Sequence, residues 1–403
     1  MSVKNMPQKE IRRSTDSNVR CKDKSHTIKS AKDKDLHTLP TKYDQIIQLF
    51  EQIDPVRYGK SRNFINGAVT QLSPYVSRGI IDVKQILDYL INKGYPYYSC
   101  EKFIQQLFWR EYFQRVWQTY QGGMNQDIKQ AQSDVNNHGI PTALLNAHTS
   151  IQAIDDGIEL LKSSGMMHNH LRMYTAFLAC NMGKSHWLHP AKWMYYHLLD
   201  GDWGSNALSW QWVAGSFSNK KYIANQENIN HYTKSSQTNT FLDISYDELQ
   251  LLETPSVLVD IESATLQTNL PSASTLNIDA ELPVLLYNYY NLSPTWRADM
   301  KANRILLLEP EIFKEHPVAD HCISFVLQLA ENIDGIQLFI GSFNELKKLL
   351  NNQPVYFREH PLNAHYEGIE DSRSWIIPST TEVRGSFFSF WKKNEQAIRG
   401  MFR

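Results

Sequence analysis

The sequence lacks the features that mark exported or membrane-spanning proteins. It has four cysteines, Cys21, Cys100, Cys180 and Cys322, and no two of them form a CxxC pair. A disulfide scaffold or a zinc knuckle is therefore not predicted. No run approaches the roughly 20 apolar residues that a membrane-spanning helix needs, and the basic N-terminus lacks the apolar core of a signal peptide. We expect a cytoplasmic protein that makes no membrane contact.

The chain also lacks an excess of positive or negative charge. Forty-one Lys and Arg stand against 42 Asp and Glu, which gives a formal net charge of −1. This balance excludes a globally basic nucleic-acid binder, so any DNA site has to be a local patch. The chain is rich in large rings, with ten Trp and twenty Tyr, and such rings serve either stacking functions or ordinary core packing.

Nucleotide-binding glycine motifs of the GxGxxG or P-loop type are absent, as are solenoid repeats. Composition divides the chain into four parts. Residues 1–40 are polar and basic, which predicts a disordered arm; residues 41–250 show helical periodicity. Residues 251–281 are rich in Ser, Thr and Pro, as in a linker, and residues 282–403 form a smaller unit. The fold class is α+β, with a mainly helical domain followed by a small α/β domain.

Apolar spacing of three and four residues predicts the helices, and short apolar runs predict the strands. The helices are expected at 43–53, 83–93, 100–120, 151–163, 168–180, 321–332 and 343–351. The strands are expected at 283–287, 304–308, 336–340 and 355–358. Strands that alternate with helices predict a parallel sheet.

The most informative polar residues lie between Gly165 and Trp212. Asn169 and Arg172 are three residues apart and share a helix face, and an Asp-Gly-Asp sequence follows at 200–202. A guanidinium suits bidentate contact with a carboxylate, so Arg172 is expected to pair with Asp200 or Asp202. From the spacing alone, an ordinary structural bridge between two helices is the favoured explanation.

Five blocks carry a resemblance to a known family. They are the run 154–173, Asp-Gly-Asp at 200–202, Trp-Gln-Trp at 210–212, Leu-Ser-Pro-Tyr at 72–75 and Trp-Arg-Glu-Tyr-Phe at 109–113. In this order and spacing they resemble the signature blocks of DNA photolyases and cryptochromes, over roughly half of the chain. The resemblance implies a helical domain that binds FAD.

The same resemblance implies which residues hold the cofactor. Tyr58, Thr70, Leu72 and Ser73 would hold the FAD phosphates, where hydroxyl and N–H groups at a helix start suit an anion. The implied contacts of the flavin itself come from Arg110, Asn169, Arg172, Asp200, Asp202 and Asn206. Asn206 would face the ring nitrogen that gains or loses a proton, because an amide can accept or donate.

Two tryptophans match the family's electron-donor positions. Trp210 takes the flavin-proximal place and Trp187 the next one outward; core packing explains both rings equally well. Together with Asn206 they are the catalytic candidates. The third, surface tryptophan has no match, because Asp134 stands at its position. Light-driven reduction would then need another exit, through Trp193 or a tyrosine.

The substrate side departs from the photolyase pattern. The positions that match the lesion pocket are Gln106, Trp109, Asn169, His170 and Met173. Gln106 replaces a glutamate that bonds the lesion bases, and His170 replaces an arginine near the DNA backbone. Glutamine cannot act as a carboxylate acid or base, and histidine is cationic only when protonated.

The α/β region also departs from the family, because photolyases carry their α/β antenna domain first. Residues 283–359 resemble part of that domain moved to the C-terminus, although an unrelated small α/β module fits the pattern as well. The resemblance therefore implies FAD, and it leaves a second, antenna chromophore unidentified. The paired histidines at 168/170 and 186/189 lack the companions of a metal site, and we expect no metal.

Two functions follow as hypotheses. The first is light-driven repair of cyclobutane pyrimidine dimers in damaged DNA by electron transfer from reduced flavin. The second is a cryptochrome-like photoreceptor or redox sensor, with a protein partner and without repair. A protein that keeps the fold without flavin is disfavoured, because its buried charges would lose partners. Repair predicts a cationic ring at the cavity mouth, with candidates Arg62, Lys102, Arg115, Lys220 and Lys221.

Overall fold

The computed structural model describes residues 39–273, 275–379, 383 and 385–402 of the chain. Residues 1–38 of the predicted basic arm, including Cys21, lie outside the described residues. Among the described helices, none combines the length and the apolar character that crossing a membrane requires.

Helices account for most of the chain between Tyr43 and Leu251. They are α1 (Tyr43–Glu51), α2 (Pro55–Ser61), α3 (Ser73–Ser77), α4 (Val83–Asn92), α5 (Tyr97–Tyr120), α6 (Thr142–Leu145), α7 (Gln152–Ser164), α8 (Asn169–Phe177), α9 (Leu188–His197), α10 (Trp203–Ala214), α11 (Gln226–Thr233) and α12 (Tyr246–Leu251). A π-helical turn, Leu178–Met182, continues α8. The predicted helical domain is confirmed.

Local sequence explains several helix ends. Asp82 and Gln85 form a reciprocal capping box at the start of α4, and Asp202 caps α10 by accepting from the Ser205 N–H. Gly165 ends α7 with φ of 71°, the left-handed conformation that glycine adopts without a steric penalty.

Five parallel strands form the sheet that follows. They are β3 (Val284–Tyr287), β4 (Asn303–Leu308), β5 (Ile336–Ile340), β6 (Val355–Arg358) and β7 (Ile369–Asp371), after a separate antiparallel pair formed by β1 (Ile140–Pro141) and β2 (Ile261–Glu262). The order across the sheet is β5-β4-β3-β6-β7. Leu286 pairs with Ile305 on one side and with Phe357 on the other. The predicted strands all form, and β7 is an addition.

Side chains of the sheet alternate between two packing layers. Leu285 and Leu306 belong to the core shared with the helical region. Leu286 and Ile305 pack instead with Phe343. Because the side-chain period of a strand is two, apolar runs of this kind bury both faces of the sheet.

The last helices connect and flank the sheet. They are α13 (Pro310–Glu315), α14 (Asp320–Ala330), α15 (Phe343–Leu349) and α16 (Phe387–Met401). The sequence interpretation missed α16 and assigned its residues to the α/β unit. In the structure α16 packs on α5, because Phe390 and Trp391 contact Phe108.

Candidate functional site

A cavity opens among α5, α8, α9 and α10. The residues predicted for the site that line it are Gln106, Trp109, Arg110, Asn169, Arg172, Met173, Asp200, Asp202, Asn206 and Trp210. Ser205, Ser209 and Val213 also line it and were missed. Their spacing of four residues along α10 was the available signal, since it places them on one helix face.

The bridge expected for Arg172 forms with Asp200. The Arg172 Nη2 lies 3.0 Å from both carboxylate oxygens of Asp200, and its Nε donates to the Met167 carbonyl at 2.9 Å. The side chains are 23% and 7% exposed. The bridge therefore fixes a guanidinium plane at the wall of the cavity, where it can meet a flat polar ligand.

Asp202 is held by three donors. It accepts from the Ser205 N–H at 2.8 Å and from the Gln114 amide at 2.6 Å, and Arg110 lies 3.3 Å away. Burial by itself would raise the pKa of Asp202, but the Arg110 charge and the Ser205 hydrogen bonds outweigh it and lower the pKa. This carboxylate stays ionised at neutral pH and can accept further hydrogen bonds.

Asn206 offers an acceptor to the cavity. Its Nδ2 donates to the Ala191 carbonyl at 2.8 Å, whereas its Oδ1 accepts no hydrogen bond from any described residue. With the charges of Arg172 and Asp202 nearby, the wall presents both donors and acceptors to one ligand. A flavin ring, which carries both kinds of group on its polar edge, fits this set.

The predicted phosphate residues lie apart from the cavity. Tyr58 packs edge-on against Phe103 at 4.8 Å, and burial raises its pKa despite the opposing charge of Arg62. Thr70 Oγ1 accepts from the Leu72 N–H at 3.4 Å, and Ser73 is exposed at the start of α3. None of these four residues lines the cavity, so their role stays a prediction.

Ser77, at the end of α3, connects that helix to the site. Its hydroxyl donates to the Asp200 carbonyl at 2.7 Å and accepts from Arg110 at 3.1 Å. Ser73 lies one helical turn earlier. Of the four predicted phosphate residues, Ser73 therefore lies one turn from a side chain that contacts the site.

The two tryptophans predicted as electron donors are both buried. Trp187 donates its ring N–H to Asp127 at 2.7 Å, and its ring centroid lies 6.4 Å from that of Trp203. Among the described residues no ring contact joins Trp187 to Trp210. Trp203 therefore adds a ring that the sequence interpretation did not include.

The structure also places the two other residues that were named with this ring series. Asp134, at the place of the third tryptophan, pairs with Lys221 at 2.7 Å. Trp193, suggested as an exit, is buried with its edge toward His197 at 5.9 Å.

The substrate side divides into two groups. Gln106, Trp109, Asn169 and Met173 line the cavity. His170 does not; it stacks on Tyr232 at 4.5 Å, and burial, together with His168 and Arg62, lowers its pKa to about 4. His170 is therefore neutral at physiological pH and cannot replace the charge of an arginine.

The prediction that Arg115 belongs to the cationic ring at the cavity mouth is wrong. Arg115 is 2% exposed and pairs with Glu111 at 2.9 Å, so it cannot belong to a surface ring. Arg115 instead binds the C-terminal segment, because it also donates to the Ile377 carbonyl. Lys221 is committed to Asp134. The i,i+4 spacing of Glu111 and Arg115 was the sequence signal for this pair.

A second cavity adjoins the first, and Arg110 and Asp202 line both. It lies at the carboxyl ends of β3 and β6, where the strand order reverses and ligands of parallel sheets commonly bind. Arg373 Nη2 and His360 Nε2 are buried there without hydrogen-bond partners. Neither residue was predicted, because only the sheet topology brings them to the helical region.

Metal ligation has no support in the described part of the chain, where no group of three or more His, Cys, Asp or Glu could hold an ion.

The helical region is similar to parts of known proteins. A family model described as the FAD binding domain of DNA photolyase matches residues 103–275. A deoxyribodipyrimidine photo-lyase of Alkalihalophilus pseudofirmus is 28% identical over 173 residues, which cover 42% of this chain and 36% of the relative. One from Buchnera aphidicola subsp. Baizongia pistaciae is 33% identical over 156 residues, which cover 36% and 32%.

The solved structures found are more distant. A Synechocystis cryptochrome has a TM-score of 0.41 at 20% identity, over 49% of this chain and 44% of that one. An archaeal photolyase from Sulfolobus tokodaii has a TM-score of 0.39 at 20% identity, over 47% and 44%.

The chain spans about a third of the length of the curated relatives it matches. The matched residues include most of α5 and all of α8 to α10, the helices that build the cavity. Residues 103–275 of the chain are therefore similar to the FAD binding domain of DNA photolyase, and the relatives matched over this region are deoxyribodipyrimidine photo-lyases.

Proposed function

We propose that this protein is a light-driven, FAD-dependent enzyme that repairs cyclobutane pyrimidine dimers in DNA. The observation that carries the proposal is the convergence of Arg172, Asp200, Asp202 and Asn206 on one cavity that Trp109 and Met173 also line. Relatives of this domain are deoxyribodipyrimidine photo-lyases. Because they are matched over only part of their length, their activity is a proposal for this chain.

The polar wall would hold and orient the cofactor. The Arg172–Asp200 bridge would lie beside the flavin ring, Asp202 would accept from the flavin or its ribose region, and Asn206 would meet the ring nitrogen. Tyr58, Thr70, Leu72 and Ser73 are proposed for the phosphates. When bound, reduced FAD supplies the photoexcited electron that splits the dimer, so no protein acid or base need break the bond.

The apolar wall would receive the lesion. Extruding a dinucleotide from a duplex costs a few kcal/mol, which stacking and apolar contact in the pocket offset. Trp109 and Met173 provide such surface, and Gln106 and Asn169 provide hydrogen bonds to the bases. Trp210 and Trp187 are proposed to return electrons to the cofactor.

Damaged DNA is the proposed partner, and unpaired buried thiols at Cys100, Cys180 and Cys322 support a cytoplasmic location.

The test combines cofactor and substrate. The purified chain is examined for flavin absorption, reduced in blue light and incubated with a single-stranded oligonucleotide that carries one cyclobutane dimer. We expect light-dependent loss of the dimer, and faster loss in Gln106→Glu, because the carboxyl group restores the hydrogen-bonding group that the photolyase pattern has for the lesion bases at this position. A dark control with the same protein measures any loss of the dimer that does not depend on light. An intact dimer with both proteins contradicts the repair proposal.

A second function, a cryptochrome-like photoreceptor or redox sensor, is favoured by specific residues. Gln106 stands in place of glutamate, and His170 is stacked on Tyr232 and neutral. The position of the surface tryptophan holds the Asp134–Lys221 ion pair. A flavin that photoreduces while the dimer stays intact is the result that would support this function, with a protein as partner.

A further inference from the structure

Helices α5 and α16 lie side by side and run antiparallel. Trp109, in the second half of α5, stacks on Phe387 at the start of α16, with ring centroids 3.7 Å apart and planes at 10°. At the opposite ends, Tyr97 contacts Phe402 at 5.8 Å. Between these points, Phe390 and Trp391 pack on Phe108. The two helices therefore form one surface about three turns long.

Exposed aromatic rings mark both ends of this surface. Phe388 is 62% exposed and Tyr98 is 65% exposed. Phe388 meets Trp109 edge-on at 6.4 Å, and the Arg399 guanidinium lies 4.7 Å over the Tyr98 ring. Eleven residues separate the ends on each helix, which at 1.5 Å per residue is about 16 Å.

Cations follow the exposed rings at helical spacing. Lys102 comes four residues after Tyr98, and Lys392 four residues after Phe388, so each lies one turn from a ring on the same face. Lys102, Lys392 and Arg399 are exposed, and no ion pair among the described residues involves them. The neighbouring carboxylate, Glu395, accepts from the Tyr97 hydroxyl at 3.5 Å. We call Tyr98, Lys102, Trp109, Phe388, Lys392 and Arg399 the α5/α16 track.

The track is continuous with the cavity, because Trp109 belongs to both. Phe387 covers one face of Trp109, so a base cannot stack there. The next ring outward, Phe388, is open to solvent. Outside the cavity, Phe388 is therefore the ring on which a base can stack.

One exposed ring at each end of the track, with the exposed Lys102 and Lys392 between them along the helices, fits a single strand of nucleic acid. Bases of a single strand offer free π-faces to aromatic side chains while cations contact the phosphates; a duplex keeps its base faces stacked inside. We propose that the α5/α16 track binds the single-stranded segment of DNA adjoining a base that enters the cavity. The proposal rests on the proposed function, since it names the form of DNA that reaches the same site.

The experiment measures binding separately from repair. The flavin-loaded chain is titrated in the dark against fluorescently labelled oligothymidylate and against a labelled hairpin duplex, by anisotropy at several salt concentrations. We expect tighter binding of the single strand. Phe388→Ala and Tyr98→Ala should each weaken it about fivefold or more, the lower end of base–aromatic stacking, and Phe388→Trp should restore it. The matched control is Tyr246→Ala, an exposed ring on α12.

Charge is tested in the same assay. Lys392→Ala should lower the slope of log affinity against log salt by about 0.7, the value for one phosphate contact on a single strand. Lys314→Ala, at an exposed lysine of α13, should leave the slope unchanged. Flavin absorption and the melting temperature of each variant establish that it is folded, as expected for side chains exposed to this extent.

Two results would overturn the track: equal affinity for the hairpin and the single strand, or Phe388→Ala binding as tightly as the parent. In another outcome, the parent protein binds the single strand in a way that Phe388→Ala and Tyr98→Ala weaken, yet leaves the dimer unrepaired. This result would refute the proposed enzyme and leave the track intact. Repair by the parent at saturating protein, with Phe388→Ala indistinguishable in binding, would refute only the track. Binding of a protein partner to the same face without DNA binding also counts against it.

Discussion

Replacing Asp200 by alanine removes the carboxylate that both contacts of the Arg172 Nη2 require. Loss of one partner from a fully buried ion pair costs about 3–5 kcal/mol. Arg172 is 23% exposed and keeps its bond to the Met167 carbonyl, so solvent screening reduces the expected loss to about 2 kcal/mol. The free energy of unfolding should fall by this amount in Asp200→Ala.

A double-mutant cycle isolates the bridge from the separate effects of each truncation. Asp200→Ala, Arg172→Ala and the double variant are unfolded in urea, and the flavin absorption of each purified protein is recorded. Because the second substitution removes no further ion pair, we expect the double variant to lose about 1–2 kcal/mol less than the sum of the singles. All three should carry little flavin.

The control is Lys42→Ala, which breaks the exposed pair of Lys42 and Glu331 at 2.9 Å and should cost less than about 1 kcal/mol with full flavin. Full flavin occupancy in the double variant would refute the placement of the cofactor. Strictly additive losses would refute the energetic role of the bridge.

Three further outcomes are expected. Glu111→Gln should lower the free energy of unfolding by about 3–5 kcal/mol in urea, because this buried carboxylate pairs with Arg115 and accepts from the Ile376 N–H; wild-type stability would contradict it. Burial, followed by the Lys192 charge, lowers the pKa of His316 to about 4. The unfolded chain therefore binds the extra proton first, and stability should decline by up to about 3 kcal/mol as pH falls from 6.5 toward 4. His316→Asn should flatten that part of the curve, and an unchanged slope would exclude His316. Trp203→Phe should slow light-driven flavin reduction, followed by absorption after a flash, if the ring contact with Trp187 conducts electrons; an unchanged rate would exclude Trp203.

Helices and strands were predictable where local pattern and tertiary packing agree. The strands at Ile336–Ile340 and Val355–Arg358 form with the expected bounds, because short apolar runs between turn residues have few other uses. Helix α16 was missed. Its buried side chains match those of α5, which lies far away in sequence, and no local period shows which distant helix it will meet.

The polar wall of the site shows the same division. Asn169 and Arg172 share a face through helical spacing alone, and the family blocks indicated Asp200, Asp202 and Asn206. Spacing could not choose between Asp200 and Asp202 as the partner of Arg172. The structure decides it, because Asp202 caps α10 and is bound by Gln114 and Arg110.

The sequence by itself determined the helical domain, its similarity to the FAD binding domain of DNA photolyase and the polar residue types that line the cavity, because these follow from local periodicity and short ordered motifs. Only the tertiary structure decided that Arg115 is buried, that His170 stacks on Tyr232 and that Phe387 covers Trp109. Burial, ring contact and the surface left to solvent are set by which distant segments pack together, and contacts across hundreds of residues leave no periodic signal in the chain.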